Sequence, residues 1–314
     1  MCLLDQSCWY LYHPKYGFYT EKQIVHTNYS SFTPAAQAIL SPATSEPRRI
    51  AYRTRGRQHG PIVRLVSPSD VGELIKPFVF LDHIDVDMAS APRFGFHPHS
   101  GIATLTLLHE GSFAYEDSTG ATGTMHQGDV EWMQAGNGVW HAGHGIGKRL
   151  KGYQLWVALP PALENSQPLS RYLSEASFPQ QGPARVILGE LGGTRSPIAS
   201  PSSMNYLDVR LKAGEVWCYE PPQGHDVAWI AVYEGNALIP EAISSGELAV
   251  FEEAQTSITF QADGNTSFVL GSAVKHPHDL VLGHYSVHTN GAALVQGEAN
   301  IRRIAADLSR AGKL

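Results

Sequence analysis

Cysteine is scarce: Cys2, Cys8 and Cys218 are the only ones in 314 residues. They are too few and too scattered for a disulfide framework or a thiolate metal site, which suits a reducing compartment. Any metal bound here must rely on nitrogen and oxygen ligands. No run of Lys or Arg occurs, and a formal net charge of -6 leaves no electrostatic footprint for a phosphate backbone. Direct nucleic-acid binding is therefore not expected. No apolar stretch approaches the length that spans a bilayer. The start, Met1-Cys2-Leu3-Leu4-Asp5-Gln6-Ser7-Cys8, lacks the basic region and sustained apolar segment of a secretory signal. The expectation is a cytoplasmic protein without a membrane partner.

Helical periodicity is also rare, and what replaces it is strand-like. Residues 1–32 are rich in aromatics without a clean period, and 33–47 form a Pro/Ala/Ser-rich stretch that reads as linker, so 1–47 is taken as an extension. From Arg48 onward, short apolar runs alternate with Gly, Pro, Asp and Asn at spacings of roughly 8–12 residues, as in antiparallel sandwiches and barrels. Pro61–Val66, Phe78–Leu81, Ile102–Leu108, Ser112–Glu116, Val130–Met133 and Gly152–Leu159 are the candidate strands of a first block, ended by Pro160-Pro161. A second block from Arg185 to Thr289 repeats the style, with Tyr206–Leu211, Ala228–Tyr233, Glu247–Phe251 and Ser267–Leu270 among its strands. Two similar antiparallel barrels in tandem, 48–170 and 171–314, explain this economically. The tail Glu298–Ser309 carries Ile301, Ile304, Ala305 and Leu308 at helical spacing and predicts a short terminal helix.

Against this all-β background, the chemistry sits in the histidines. In an extended strand, side chains at i and i+2 share a face, so His97 and His99 can offer neighbouring imidazoles to one metal ion. His141 closes a Gly-rich run from Gly128, which allows a later strand to return beside the first. Fifteen histidines make an H-x-H pair by chance unremarkable, and a hydrogen-bonded or surface histidine is the commoner outcome. Context favours the site: Pro98 fixes the backbone between the pair, and Phe94 and Phe96 flank it. Phe94, Phe96, Trp132 and Trp140 are candidates for lining a flat apolar pocket, with barrel core as the alternative for each.

Several blocks together resemble the pirin family: Phe78-Val79-Phe80-Leu81-Asp82-His83, Phe96-His97-Pro98-His99-Ser100-Gly101, Glu116-Asp117-Ser118-Thr119-Gly120, Gly128 to His141, and Tyr153-Gln154-Leu155-Trp156-Val157-Ala158-Leu159-Pro160. They stand in that family's order and spacing, from about Arg48 to the C-terminus. The resemblance implies a bicupin, two cupin-type β-barrels facing one another, with a metal site of His97, His99 and His141 in the N-terminal barrel alone. It implies iron as cofactor, with another divalent transition metal as alternative. It also implies either a quercetin 2,3-dioxygenase acting on a small aromatic substrate, or a non-catalytic regulator that binds a protein partner, with or without metal. His276-Pro277-His278 repeats the spelling of His97-Pro98-His99 but lacks a downstream Gly-rich histidine segment, so a loop near a barrel mouth or interface is expected there.

One departure bears on mechanism. The family's fourth ligand is a glutamate two residues after the third histidine, and here that position is Gly143. The expectation is an opening at 143 and a metal whose charge the protein does not compensate. His144 points to the opposite face of a strand and reaches inward only through a bulge. Asp129 and Glu131, nearby in sequence, read as a polar turn and an outward strand residue. The absent glutamate is the natural base for a dioxygenase, so no catalytic residue is assigned from sequence.

Overall fold

Residues 47–88, 94–238 and 241–314 are described by the computed structural model; the expected extension lies outside them except for Pro47. The order of elements used below is β1 (Ile50–Thr54), β2 (Ile62–Val66), α1 (Val71–Ile75), β3 (Phe78–Asp87), β4 (Phe94–His99), β5 (Ile102–Asp117), β6 (Val130–Gln134), β7 (Val139–Ala158) and β8 (Leu169–Leu173) in the first half. The second half holds β9 (Ala184–Leu188), β10 (Met204–Leu211), β11 (Val227–Glu234), β12 (Glu247–Phe251), β13 (Thr266–Ala273), β14 (Ser286–His288) and α2 (Gly291–Arg310).

The two halves build a nine-stranded and a seven-stranded antiparallel sheet, each curling into a cupin barrel. The long strands β5 and β7 pair along most of their length, from Ile102 opposite Ala158 to Asp117 opposite His141. The predicted strands Ile102–Leu108 and Ser112–Glu116 are one strand, turned by register shifts between Leu108 and Glu110 and between Glu110 and Ser112. Bulges of this kind bend a strand around a barrel corner while the ladder continues.

Alternation then sorts the side chains. Leu105 and Leu107 of β5, Val130 and Trp132 of β6, and Tyr153, Leu155 and Val157 of β7 face the other barrel, where they pack with Tyr206, Trp229 and Val269. Phe78 meets Trp229 edge-on with ring centroids 5.4 Å apart. The second barrel's interior is filled by a separate apolar cluster that includes Val186, Leu207, Ile230, Phe260 and Phe268. The first barrel is different: the alternate positions Thr106, Glu131 and Gln154 turn inward and line a small cavity. One barrel is filled by hydrocarbon, and the other keeps a small cavity with polar groups set into its apolar wall.

Segments cross between the halves at both ends. The strand β1 pairs with β12 in the second sheet, Tyr52 opposite Val250. The C-terminal segment returns to the first barrel: Ser286 forms a parallel bridge with Ser100. Trp140 Nε1 donates to the Ile301 carbonyl at 3.0 Å and Asn300 Nδ2 to the Asn137 carbonyl at 2.9 Å. The helix α2 starts well before the predicted Glu298, capped by Asn290, whose side chain accepts from Ala293 N at 2.9 Å. Its first turns buried Ala293 and Gly297 instead of large residues, so they carry little apolar signal. Among the described residues, no helix is long and apolar enough to cross a membrane.

Candidate metal centre

Register brings the three predicted histidines together. The strand β4 pairs with β7 so that His97 lies opposite His141 and His99 opposite Val139. His97 and His99 share a face, and their rings and that of His141 have centroids 4.3–5.1 Å apart. One ligand nitrogen from each lies within 4.8 Å of the others, with His99 and His141 buried and His97 half-buried.

What stands behind each ring fixes which nitrogen is free. The Gly95 carbonyl accepts from His97 Nδ1 at 2.9 Å, and the Tyr285 carbonyl accepts from His99 Nδ1 at 3.2 Å. A carbonyl can only accept, so both rings carry their proton on Nδ1 and turn an Nε2 lone pair toward the cluster. His141 Nδ1 faces Glu131 Oε1 at 3.7 Å, a polar contact longer than a hydrogen bond. His99 Nε2 and His141 Nε2 then lie only 3.1 Å apart. Two ligands at right angles on one ion, each about 2.1 Å away, would be separated by about 3 Å. The donor set therefore fits a divalent transition-metal ion.

Burial holds His97 and His99 neutral. It lowers the pKa of His97 to about 4, with His141 as a like-charged neighbour adding to the effect. Burial, His141 and His97 together push His99 well below its ordinary value. Neutral imidazole is the ligating form.

Tyr285, which supplies the carbonyl behind His99, has φ 59, a left-handed conformation that costs a bulky residue energy. It is held by the segment around it. Ser100 Oγ lies 2.9 Å from both Ser286 Oγ and His288 Nε2. Glu164 lies 3.3 Å from His288 Nδ1 and accepts from Thr289 N and Oγ1 at 2.7 Å each.

Two cavities meet at the histidines. The larger, about 880 Å³, is lined by Phe80, Phe96, Trp156, Tyr285, Arg64 and Asp82, with His97 and His99 at its wall. Phe80 and Trp156 are stacked with centroids 4.0 Å apart, and the Arg64 guanidinium lies 4.3 Å above the Phe80 ring. The smaller, about 70 Å³, lies among Thr106, Phe113, Glu131, His141 and Gly143. Asp82 lines both, bound by Arg64 through two hydrogen bonds of 2.9 and 3.1 Å. Burial raises its pKa even so.

Several expectations are corrected. Position 143 is not an opening: a Cβ there would lie 2.3 Å from Phe113 Cε1 and Cζ and 2.6 Å from the Ala114 carbonyl. His144 stays out of the cluster; the ladder runs regularly past it, Ala114 opposite, and it is exposed. Glu131 is buried in the site: Oε2 accepts from Thr106 Oγ1 at 2.6 Å and Oε1 from Tyr172 Oη at 3.1 Å. Burial alone would raise its pKa, but His141, Thr106 and Tyr172 outweigh that and hold it below the usual carboxylate range. Asp129 does sit in a polar turn, accepting from His126 N and Glu175 N.

Of the aromatic candidates, Phe96 lines the large cavity. Trp132 is core, and Trp140 binds α2. The side chain of Phe94 lies outside the described residues. Sequence reading missed Phe80, Asp82, Trp156 and Glu131 as site residues, although all four stand in the quoted blocks.

The second barrel holds no comparable group of ligands among the described residues. His225 is buried between Ser203 Oγ and Ser272 Oγ, each 2.9 Å away. His276 and His278 lie where the halves meet: His276 N donates to the Lys76 carbonyl and Lys76 Nζ to the His278 carbonyl.

Comparisons with known proteins agree with this architecture. The family model described as Pirin matches residues 62–157. A pirin-like protein of Caulobacter vibrioides is 33% identical over 219 residues, covering 65% of this chain and 79% of its own. A Pseudomonas aeruginosa protein named provisionally as a quercetin 2,3-dioxygenase is 30% identical over 226 residues, covering 67% of this chain and 79% of its own. The crystal structure of a quercetin 2,3-dioxygenase from Acinetobacter baumannii superposes with a TM-score of 0.75 at 22% identity, covering 82% of this chain and 98% of that one.

Proposed function

The chain belongs to the pirin family, and from that premise we propose that it is a metal-dependent cupin oxygenase. His97, His99 and His141 would hold one divalent transition-metal ion, iron before others, and a flavonol-like aromatic would enter the cavity beside them. The observation that carries this reading is the set of acceptors behind the imidazoles, which turns the nitrogen lone pairs of His97 and His99 toward His141. When bound, the ion would supply Lewis acidity and one-electron chemistry toward dioxygen.

The chain's own residues do the rest. A cavity of about 880 Å³ lies within the range of small-molecule sites. The stacked Phe80 and Trp156 give it a flat aromatic wall that favours planar ligands, and Tyr285 closes one side. Asp82, with its pKa raised by burial, accepts the proton of a substrate hydroxyl; Arg64 orients that carboxylate through its two hydrogen bonds.

The division into a metal-bearing barrel, 48–170, and a second barrel with the terminal helix, 171–314, belongs to the same proposal, with β1 and the C-terminal segment crossing over as structural ties. Gly143 favours a second reading, a non-catalytic regulator in which metal tunes the surface offered to a protein partner.

Oxygen uptake by protein loaded with stoichiometric iron, across a panel of flavonols and other enolisable aromatics, separates the two. The oxygenase reading expects uptake that His97→Ala abolishes. No uptake on any substrate by the fully loaded protein would leave the regulator.

A further inference from the structure

Glu131 is a buried carboxylate without a lysine or arginine partner among the described residues. Asp82 has Arg64 and Asp208 has Arg185, each in an ion pair. The basic ring beside Glu131 is His141, whose Nδ1 lies 3.7 Å from its Oε1. A buried charge that lacks a counter-charge is costly enough that proteins seldom keep one.

Three placements explain why this one persists. Thr106 stands opposite Glu131 on β5 and Tyr172 opposite it on β8, and both hydroxyls donate to the carboxylate. They hold Oε1 on the side of His141. The position from which a ligating carboxylate would reach the cluster, Gly143, is closed by the Phe113 ring. The inner wall of the barrel therefore presents a carboxylate on β6, two strands away from the family's position on β7 with β5 between them, behind a histidine instead of at position 143.

We infer that Glu131 supplies the negative charge that position 143 lacks, acting on the metal through His141 as a positioning residue and not as a ligand. The inference rests on the reading of His97, His99 and His141 as metal ligands. At 3.7 Å the carboxylate acts on the ring through its charge, favouring a proton on Nδ1 and making Nε2 a better donor. It also offsets part of the charge of a divalent ion without occupying a coordination position. The site then offers three protein nitrogens and leaves its remaining positions to substrate and dioxygen.

Anaerobic titration of the apoprotein with Co(II), read by calorimetry and by the visible spectrum of the bound ion, tests this on wild type and variants. Glu131→Gln keeps the size but loses the charge, and one of the two hydroxyl contacts must reverse so that the hydroxyl accepts from the new amide. It should weaken Co(II) binding by about 10- to 100-fold and shift the spectrum. Glu131→Asp and Glu131→Asn repeat the comparison on a shorter side chain, Asp retaining affinity and Asn losing it, should Glu131→Gln fold poorly.

Binding of Co(II) by folded Glu131→Gln within twofold of wild type, with an unchanged spectrum, would overturn the inference while His97→Ala still abolished binding. Equal affinity of Asp and Asn variants would overturn it as well. If wild type and His97→Ala bound alike, the metal-site reading itself would have failed.

Discussion

Phe113 and Gly143 are packed as a pair, the phenyl ring occupying the volume that any side chain at 143 would need. The bare backbone at 143 and the bulky ring at 113 are thus one feature of the barrel wall.

A first prediction follows from that packing. Gly143→Ala should destabilise the protein by about 1–3 kcal/mol through overpacking. The cost should shrink in the presence of Phe113→Ala. Urea denaturation of the two single variants and the double variant reads the non-additivity directly.

Asp82 carries the second. Burial raises its pKa, so turnover should fall as pH drops through that raised value and the carboxylate takes up a proton. Asp82→Asn should lower kcat by about 10²- to 10⁴-fold, with a smaller change in KM, and erase this acid limb. Oxygen uptake against pH tests it; an acid limb unchanged in Asp82→Asn would remove Asp82 from the mechanism.

Stability should also depend on pH, for reasons outside the metal site. Burial lowers the pKa of His225 and of His276 to about 4 each. The unfolded chain, with histidines near their ordinary 6.5, binds more protons between these values. Stability of the apoprotein is therefore full above about pH 6.5 and declines as pH falls toward 4. Replacing His225 by Gln should flatten part of this slope in denaturation midpoints measured between pH 7 and pH 4.

The C-terminal segment gives the fourth. Glu164, in the turn after β7, accepts from Thr289 N and Oγ1 and faces His288, whose Nε2 lies 2.9 Å from the Oγ of Ser100, the residue after His99. Glu164→Gln should cost about 1.5–3 kcal/mol, the range for hydrogen bonds to a charged group. Loosening Tyr285 should also weaken metal binding, because its carbonyl orients the His99 ring. Thermal melts of the apoprotein and Co(II) calorimetry read the two effects separately.

The sequence made the barrel pair and the histidine cluster legible for the same reason: both depend on local periodicity. Alternation put His97 and His99 on one face, and a Gly-rich return brought His141 beside them. Glu131 was misread because alternation was applied with one apolar face and one wet face in mind. In this fold both faces of β6 are covered: Val130 and Trp132 face the second barrel, and Glu131 faces the interior. Choosing inside from outside required knowing which surface the second barrel covers. The ring of Phe113 over Gly143 was illegible for a related reason, since it depends on the exact stagger of β5 against β7 beyond two register shifts. Asp82, Phe80 and Trp156 stood inside recognised blocks but reach the site only when β3 and β7 lie side by side. The early start of α2 was hidden because its buried first-turn residues are small.

The central claim is that three imidazoles share one ion. Elemental analysis of tag-free protein after anaerobic reconstitution with Fe(II), beside His97→Ala, His99→Ala and His141→Ala, tests it most directly. The account predicts one metal ion per wild-type chain and a large loss of bound metal in every variant. Equal metal content in wild type and all three variants, or none in any, would contradict it.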